Sequence, residues 1–324
     1  MNRRAFIVGA AALLPAPLAA EAQQKAAIGV IDASAPPAAP RFYPSFWKRL
    51  NELGWREGEN LTAATRGAGG DIERIEALAA ELVRMNVNVI AMDSGTFARR
   101  VQENVTRTVP ICVAGGDLQQ TRAVTNLARP EGNITGVQVL QADLAGKRLA
   151  LLKEIVPDLT RVGVLVQKRD APVNIAVLRA TDDAARRLGL QLYTLEAQHP
   201  DDVDRVFSIL TNAGARGLVV VNNPSTIKNR QKIVALAAKA RVVTIYEYRD
   251  WSEAGGLLAY GPVLSEVWRQ LADCVDRILR GAKPADVPVQ QPSKFELVIN
   301  LKTAKALGLT MPPSLLLRAD QMIE

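Results

Sequence analysis

Two successive runs of short aliphatic stretches, separated by amphipathic helical stretches, constrain this chain more than any other feature. The first run begins with AAIGVI (26–31) and passes through VNVIAM (87–92) to ITGVQV (134–139). The second begins with RVGVLV (161–166) and continues through GLVVVN (217–222). Strands without polar alternation, each followed by a helix, are typical of parallel sheets covered by helices on both faces. The pattern predicts an α/β fold with two Rossmann-like, doubly wound lobes.

The chain beyond the second run is too short to form a third domain. A predicted helix over 264–281 is followed by one strand, FELVIN (295–300), with a helix behind it. These elements fit best as additions to the two lobes, with the chain crossing between the lobes more than once. The predicted boundaries are 1–22 for an export signal, 23–139 for lobe 1, completed by about 263–287, and 140–262 for lobe 2, completed by about 288–324.

The first 22 residues have the three parts of a secretory signal peptide. Arg3 and Arg4 precede an apolar run over 5–20, which leads to the small-residue cleavage motif Ala20-Glu21-Ala22. The paired arginines also suit the twin-arginine export route, and the general secretory route stays open. Because no cysteine follows the apolar run, a lipid anchor is not expected there. The sequence therefore predicts a soluble, periplasmic mature protein.

The charge and the residue inventory argue against nucleic-acid binding and against catalysis. The 40 basic and 33 acidic residues leave a diffuse net charge of +7 without a long basic block. The single histidine, His199, lies in a polar turn, and neither a nucleophile-elbow motif nor a phosphate loop occurs. The GAGG stretch at 67–70 lacks the third glycine of a dinucleotide fingerprint, since Ile72 occupies that position. We predict no enzyme activity, no cofactor, no metal site and no nucleic-acid partner.

The two cysteines, Cys112 and Cys274, both lie in apolar stretches. Export would permit a disulfide between them. Sequence alone does not show whether their geometry fits a bridge, so two buried thiols and a single disulfide both stay open.

Short polar or glycine-containing segments follow several of the predicted strands. In open parallel sheets, ligands bind beyond the carboxyl ends of the strands, so two facing lobes would place these segments on opposite walls of one cleft. The helix that begins at Ser94 offers backbone N–H groups suited to an anion such as a carboxylate. The predicted ligand-binding residues are Asp32, Ser34, Ser94, Gly95, Thr96, Gly116 and Asp117 in lobe 1, and Gln167, Asn222, Asn223, Tyr246 and Glu247 in lobe 2.

Longer stretches of the chain resemble one family of ABC transporter substrate-binding proteins. They are FWKRLNELGWREGENL (46–61), IEALAAELVRMNVNVIAM (75–92), LARPEGNITGV (127–137), EAGGLLAYG (253–261), RGAKPADVPVQQPSKFELVINLKTAKALGL (280–309) and PPSLLLRADQMIE (312–324). The resemblance covers essentially the whole mature chain, and better-understood members of that family bind tryptophan or other aromatic amino acids. It implies a type I periplasmic-binding-protein fold, with three chain crossings at a hinge and closure of the lobes around a ligand.

From the residues and the resemblance together, we predict a monomeric solute-binding protein that serves the permease subunits of an ABC importer. The expected ligand is a small polar molecule, with amino acids first, other small carboxylates second and aromatic acids third. The loops DSGTFA (93–98) and QKRDAPVN (167–174) depart from the sequences usual in the family, so the resemblance does not predict an aromatic ligand for this chain. A sensory module that signals to a membrane receptor and a secreted enzyme on the same scaffold are the alternatives.

Overall fold

The structure is a computed structural model, and it describes residues 25–38, 43–69, 71, 73–169 and 172–324, without the side chains of Thr96, Pro172 and Val173. The predicted signal peptide, residues 1–22, lies outside the described residues. Across the part of the chain that is described, no helix is both long enough and apolar enough to span a membrane.

The first part of the chain builds a five-stranded sheet in which all strands run parallel. The order across the sheet is β2-β1-β3-β4-β5, and the strands are β1 (Ala26–Asp32), β2 (Leu61–Gly67), β3 (Val89–Met92), β4 (Ile111–Ala114) and β5 (Ile134–Val137). Every residue of β3, β4 and β5 is buried, which agrees with their continuous apolar sequence. We call this sheet and the helices packed on it lobe 1.

Amphipathic helices cover both faces of the lobe 1 sheet. They are α1 (Pro44–Glu52), α2 (Arg74–Arg84) and α3 (Gly95–Asn104). In α1, Phe46 and Leu50 are spaced four residues apart, so they share one side of the helix and pack together in a core with Val30. The other face is covered by α2 and α3, whose Leu82 and Val101 lie in a second buried cluster.

Lobe 2 repeats the alternation of strands and helices after β5. Its first strands are β6 (Arg161–Val166), β7 (Gln191–Glu196), β8 (Gly217–Val220), β9 (Val243–Tyr246) and β10 (Leu258–Pro262). Its helices up to this point are α4 (Ala145–Ile155), α5 (Pro172–Leu188), α6 (Pro200–Asn212), α7 (Pro224–Lys228), α8 (Arg230–Ala240) and α9 (Arg249–Glu253). One face of the sheet packs on α4 and α5, and the other packs on α6 and α8.

The last part of the chain is divided between the two lobes. Helix α10 (Leu264–Leu279) returns to lobe 1, where Val267, Leu271 and Val275 join the core that contains α1. The elements that follow return to lobe 2 after a 3₁₀ turn at Pro284–Asp286, and they are β11 (Phe295–Asn300), α11 (Leu301–Leu307), α12 (Pro313–Leu316) and β12 (Gln321–Ile323). The lobe 2 sheet has the order β12-β11-β10-β9-β8-β6-β7, in which only the β10–β11 pair is antiparallel.

The chain passes between the lobes three times, at 138–144, at Val263 and at 287–294. These crossing segments are joined by backbone hydrogen bonds, since Gln138 N–H donates to the Gln290 carbonyl (2.9 Å) and Val263 N–H donates to the Lys294 carbonyl (3.0 Å). The predicted fold class, two doubly wound lobes joined by a three-crossing hinge, is therefore confirmed. The residue-level lobe boundaries stay a prediction.

The structure differs from the sequence-based expectation in three elements. The stretch from Pro224 to residue 240 favours a single helix by sequence, but the structure divides it into α7 and α8 at Asn229, whose backbone leaves the helical region (ψ 14°). The five-residue α9 and the three-residue β12 were not expected, because segments of this length carry too little periodicity to be recognised.

Cys112 and Cys274 are both buried and unbridged, so the alternative of two free thiols is the correct one.

Candidate functional site

The two lobes enclose a cleft at the carboxyl ends of their parallel strands. Its cavity measures about 770 Å³ and is lined by residues of both lobes. Ser34 follows β1, Asp93 follows β3 and Gly115 follows β4, while Gln167 and Asn222 follow β6 and β8 on the opposite wall. This is the position at which doubly wound sheets bind ligands.

A pair of carboxyl groups, Asp32 and Asp93, forms the base of the lobe 1 wall. Asp32 Oδ1 accepts hydrogen bonds from the N–H groups of Ser34 (3.0 Å) and Ala35 (2.8 Å), and Asp93 Oδ1 accepts one from Ala33 N–H (2.8 Å). The two carboxyl groups are also hydrogen-bonded to each other. Burial and the neighbouring charge of Asp32 raise the pKa of Asp93 well above its usual value. Asp93 therefore keeps its proton to a higher pH than an exposed carboxyl group does, because two adjacent buried carboxylates disfavour a second negative charge.

The start of α3 lies beside this pair. Ser94 precedes the helix in an extended conformation, and its side chain makes no capping hydrogen bond. The first-turn N–H groups therefore have no side-chain acceptor from the cap residue, which leaves them suited to an anionic group. Close packing requires glycine at the next position, because a Cβ on Gly95 would lie 2.1 Å from the Gly115 carbonyl oxygen.

Aromatic side chains add an apolar surface to the cleft. Tyr43 of the loop before α1 stacks on Trp268 of α10, with ring centroids 3.7 Å apart and planes inclined by 11°. Phe97 and Tyr248 line the same cavity. Burial and the negative charges of Asp93 and Asp32 raise the pKa of Tyr43 well above its usual value, so its hydroxyl group stays protonated. The cleft thus combines polar strand ends with a flat aromatic surface, as small-molecule sites do.

The lobe 2 wall carries charged and amide groups that are bonded to one another. Arg230 Nη2 lies 2.5 Å from Asp250 Oδ2, and its guanidinium carbon lies 5.3 Å from the ring centroid of Trp251. Trp251 Nε1 donates to Asn222 Oδ1 (3.1 Å), and its ring stacks on Tyr246. Asn223 Oδ1 accepts from Thr226 N–H (3.0 Å) and so caps α7.

The residues predicted from sequence divide into two groups. Those that line the cavity are Ser34, Ser94, Gly95, Gly116, Gln167, Asn222 and Asn223. Asp32 lies behind Asp93, Asp117 accepts N–H bonds from its own turn, and Tyr246 and Glu247 are buried beneath the lobe 2 wall. Thr96 lies in the first turn of α3, and its side chain is outside the described residues. Contact of any of these residues with a ligand stays a prediction.

The prediction omitted several residues that line the cavity, among them Asp93, Arg230, Asp250, Tyr43 and Trp268. Asp93 was detectable, since it directly follows a buried strand as Asp32 does. Tyr43 and Trp268 come from a loop and from the returning helix α10, so their positions depend on how distant segments pack. Among the described residues, no cluster of three or more metal-ligating side chains occurs.

Two doubly wound lobes, a three-crossing hinge and a cleft at the strand ends define a type I periplasmic-binding-protein fold. The family model for ABC transporter substrate binding protein matches residues 27–323, so the chain belongs to that family. Its members are solute-binding proteins that act outside the cytoplasm, which confirms the predicted family and the prediction that this is a binding protein rather than an enzyme.

Known proteins similar to this chain match most of its length. A tyrosine-binding protein of Clostridioides difficile is 24% identical over 285 residues, which is 87% of this chain and 81% of the relative. A Streptococcus pneumonia ABC domain solved in complex with L-Trp is 22% identical, with a TM-score of 0.84 over 93% of this chain and 100% of that one. The ligand-free, open structure of an adhesive substrate-binding protein of Clostridium difficile is also 22% identical, with a TM-score of 0.64 over 92% and 99%.

Proposed function

We propose that this protein captures an amino acid in the inter-lobe cleft and delivers it to the permease subunits of an ABC importer. The observation that carries the proposal is the pairing, on one wall, of the Asp32–Asp93 carboxyl groups with the uncapped first turn of α3. The first feature suits an ammonium group and the second suits a carboxylate. The binding of L-Trp and of tyrosine by similar proteins supports the same ligand class.

The ligand ammonium group would bind at Asp93, where a positive charge favours release of the carboxyl proton. The ligand carboxylate would lie at Ser94 and Gly95, and an apolar side chain would contact the Tyr43–Trp268 stack. A cavity of about 770 Å³ accommodates the larger amino acids. Small carboxylates without an ammonium group would satisfy only one of the two polar features, so we place them second.

The protein would act by binding without chemistry. An open form takes up the amino acid on one lobe, and rotation about the three crossing segments brings the other wall onto it. The closed form then docks on the permease, which releases the ligand by favouring the open form. Export to the periplasm through the predicted signal at 1–22 would place the protein at that membrane.

The test is calorimetric titration of the mature chain, residues 23–324, with the common L-amino acids, matched small carboxylates and sugars. We expect one or a few amino acids to bind, to raise the melting temperature and to be recovered unaltered. A bound compound that is chemically changed would support the secreted enzyme instead. Binding of sugars alone would contradict the proposed ligand class.

The D93N variant tests the ammonium site directly. The amide keeps the size of the side chain and the acceptor for Ala33 N–H, but it cannot supply a second negative charge. We expect amino-acid affinity to fall about tenfold or more, since a hydrogen bond to a charged group contributes about 1.5–3 kcal/mol. D71N is the matched control, because the exposed Asp71 carboxylate accepts, among the described residues, the N–H of Glu73 in its own turn (3.0 Å). Equal affinity of D93N and wild type would place the ammonium group elsewhere.

A further inference from the structure

A buried ion pair lies where the chain crosses between the lobes. Arg148 of α4 and Glu247, directly after β9, each have about 1% of the side chain exposed. Arg148 Nη1 lies 3.7 Å from Glu247 Oε1. Neither residue lines the cleft, and the binding of a ligand as described above uses neither of them directly.

The same two side chains hold the first crossing segment and the strand that leads into the second. Arg148 Nε donates to the Tyr260 carbonyl (3.0 Å), in β10 just before the second crossing. Arg148 Nη1 donates to the Gln141 carbonyl (3.3 Å), in the first crossing. Glu247 Oε2 accepts a hydrogen bond from Gln141 Nε2 (2.8 Å). We call these four residues, Gln141, Arg148, Glu247 and Tyr260, the hinge network.

The backbone around the hinge network is packed without spare room. A Cβ on Gly261 would lie 1.9 Å from the Glu247 carbonyl oxygen, so the strand that enters the second crossing touches the Glu247 main chain. The third crossing is bonded to the other two through Gln290 and Lys294. A change in the Arg148–Glu247 contact would therefore be transmitted to all three crossing segments.

The hinge network also reaches the cleft. Gln141 lines the cavity, its side-chain amide donates to the Glu247 carboxylate, and its carbonyl accepts from Arg148. The hinge network therefore reaches the cleft through Gln141.

The ion pair is incompletely satisfied in this arrangement. Arg148 Nη2 and Glu247 Oε1 are both buried and have no hydrogen-bond partner among the described residues. A buried pair contributes little to stability unless its geometry is close and its remaining polar atoms are bonded. Both residues belong to lobe 2, so their effect on the hinge passes through Gln141 of the first crossing, whose carbonyl accepts from Arg148 and whose side-chain amide donates to Glu247. The pair therefore fixes the conformation of the first crossing on lobe 2, rather than simply stabilising the fold.

We propose that Arg148 and Glu247 are positioning residues that set the angle between the lobes and couple it to the cleft through Gln141. The coupling to ligand rests on the proposed function, whereas control of the lobe angle does not. Polar groups retained in a buried site for conformational specificity have precedents in other proteins.

The first experiment measures amide hydrogen exchange on the mature chain without ligand. The double variant R148M/E247L removes both charges, so no unpaired charge is left buried. We expect exchange in the crossing segments 138–144 and 287–294 to rise about tenfold or more, with strands β1–β4 and β6–β9 unchanged. K153M is the matched control, since Lys153 is also on α4 but donates to Leu159 within lobe 2 (2.6 Å), and it should leave the crossings unchanged.

Two milder variants cover the case in which the double variant fails to fold. R148K keeps the charge but loses the planar fork that bonds two carbonyls, and E247Q keeps an acceptor for Gln141 without the charge. Both should raise exchange at the crossings by a smaller factor, in the order double variant, R148K, E247Q. Unchanged exchange at the crossings, or an equal rise throughout both lobes, would overturn the proposal.

The second experiment measures closure by small-angle X-ray scattering, with L-tryptophan and L-tyrosine as probes. In the wild type, a bound probe should reduce the radius of gyration. The variants should show a smaller reduction. They should also bind the probe about fivefold more weakly, because affinity falls in proportion to the population of the closed form. Full closure of the variants with wild-type affinity would overturn the coupling. If neither probe binds the wild type, the proposed ligand class fails, while the exchange experiment still tests the hinge.

Discussion

The two walls of the cleft are built on the same strand-end geometry but differ in how their charges are balanced. On lobe 1, Asp32 and Asp93 bond to backbone N–H groups and to each other. On lobe 2, Arg230 pairs with Asp250 and Glu247 pairs with Arg148, so each charge has an opposite partner in its own lobe. Under the proposed function, lobe 1 would select the charge of the ligand, whereas lobe 2 would hold the first crossing of the hinge through Arg148 and Glu247.

The largest effect is expected from overpacking the lobe 1 wall. In G95A, the added Cβ would lie 2.1 Å from the Gly115 carbonyl, and backbone must move to relieve the clash. We expect the free energy of unfolding to fall by about 2–3 kcal/mol and amino-acid binding to be lost. G146A is the control on lobe 2, because its Cβ would meet Ala184 at 3.4 Å within a helix, and it should stay within about 1 kcal/mol of wild type.

Thiol labelling during urea unfolding provides a lobe-specific readout for G95A. Cys112 and Cys274 are both buried in the lobe 1 core, and burial raises the pKa of Cys274 to about 12. Neither should react in the native state, so labelling reports the opening of lobe 1. Labelling of G95A at the same urea concentration as the wild type would contradict the expected damage to that wall.

A smaller loss is expected from the aromatic support of the lobe 2 wall. W251F removes the hydrogen bond to Asn222 and part of the stack on Tyr246, so the free energy of unfolding should fall by about 1–2 kcal/mol. Urea denaturation measures the change. The control is W47F, at a partly exposed position on lobe 1, which should lower the free energy of unfolding by clearly less. A W251F protein as stable as W47F would mean that the lobe 2 wall does not depend on this bond.

The carboxyl pair should give lobe 1 a distinctive dependence on pH. The pKa of Asp93 in the native state is raised above its usual 3.8, so the native state holds a proton that the unfolded state releases. The free energy of unfolding therefore falls as pH rises from about 3.8 through the raised native pKa. D93N cannot ionise and should lack this loss, with a slope difference of at most about 1.4 kcal/mol per pH unit. Parallel melting curves of D93N and wild type across pH 4–8 would contradict the raised pKa of Asp93.

The smallest effect lies on lobe 2 and has the opposite pH dependence. Asp202 accepts the N–H group of His199, a hydrogen bond from Arg205 Nη2 and the N–H group of Gln198 at the start of α6, and together these bonds lower its pKa to about 2. Its stabilisation is present above the unfolded pKa of 3.8 and is lost as pH falls through about 2. D202A should cost about 0.5–1 kcal/mol at neutral pH, a cap-sized effect, and almost nothing at pH 2. A constant cost across this range would show that the carboxylate charge is not involved.

Much of the fold was predictable because its strands are continuous apolar runs between clear boundaries. The predicted bounds of β6 and β11 agree residue for residue with the structure. Helix ends were less predictable, since residues at helix termini are chosen by capping and tertiary contacts as much as by periodicity. The break at Asn229 is such a case, because the residue ends one helix and precedes the next.

The candidate site was predictable only where it follows the strands. Ser34, Ser94 and Asn222 line the cleft because the ends of parallel strands meet at one edge of each sheet. The side-chain directions one residue further on were not predictable, and Glu247 turns toward Arg148 instead of the cavity. Trp268 reaches the cleft only because α10 returns to lobe 1, which no local sequence pattern records.

The return of α10 to lobe 1 has a consequence for the order of events during synthesis. The face of the first sheet on which Phe46 and Leu50 of α1 pack is not fully covered until α10, residues 264–279, has been synthesised. That happens after nearly all of lobe 2. The second sheet is not complete until β11 and β12 follow. The core shared by α1 and α10, and the complete second sheet, can therefore form only after most of the chain has been synthesised.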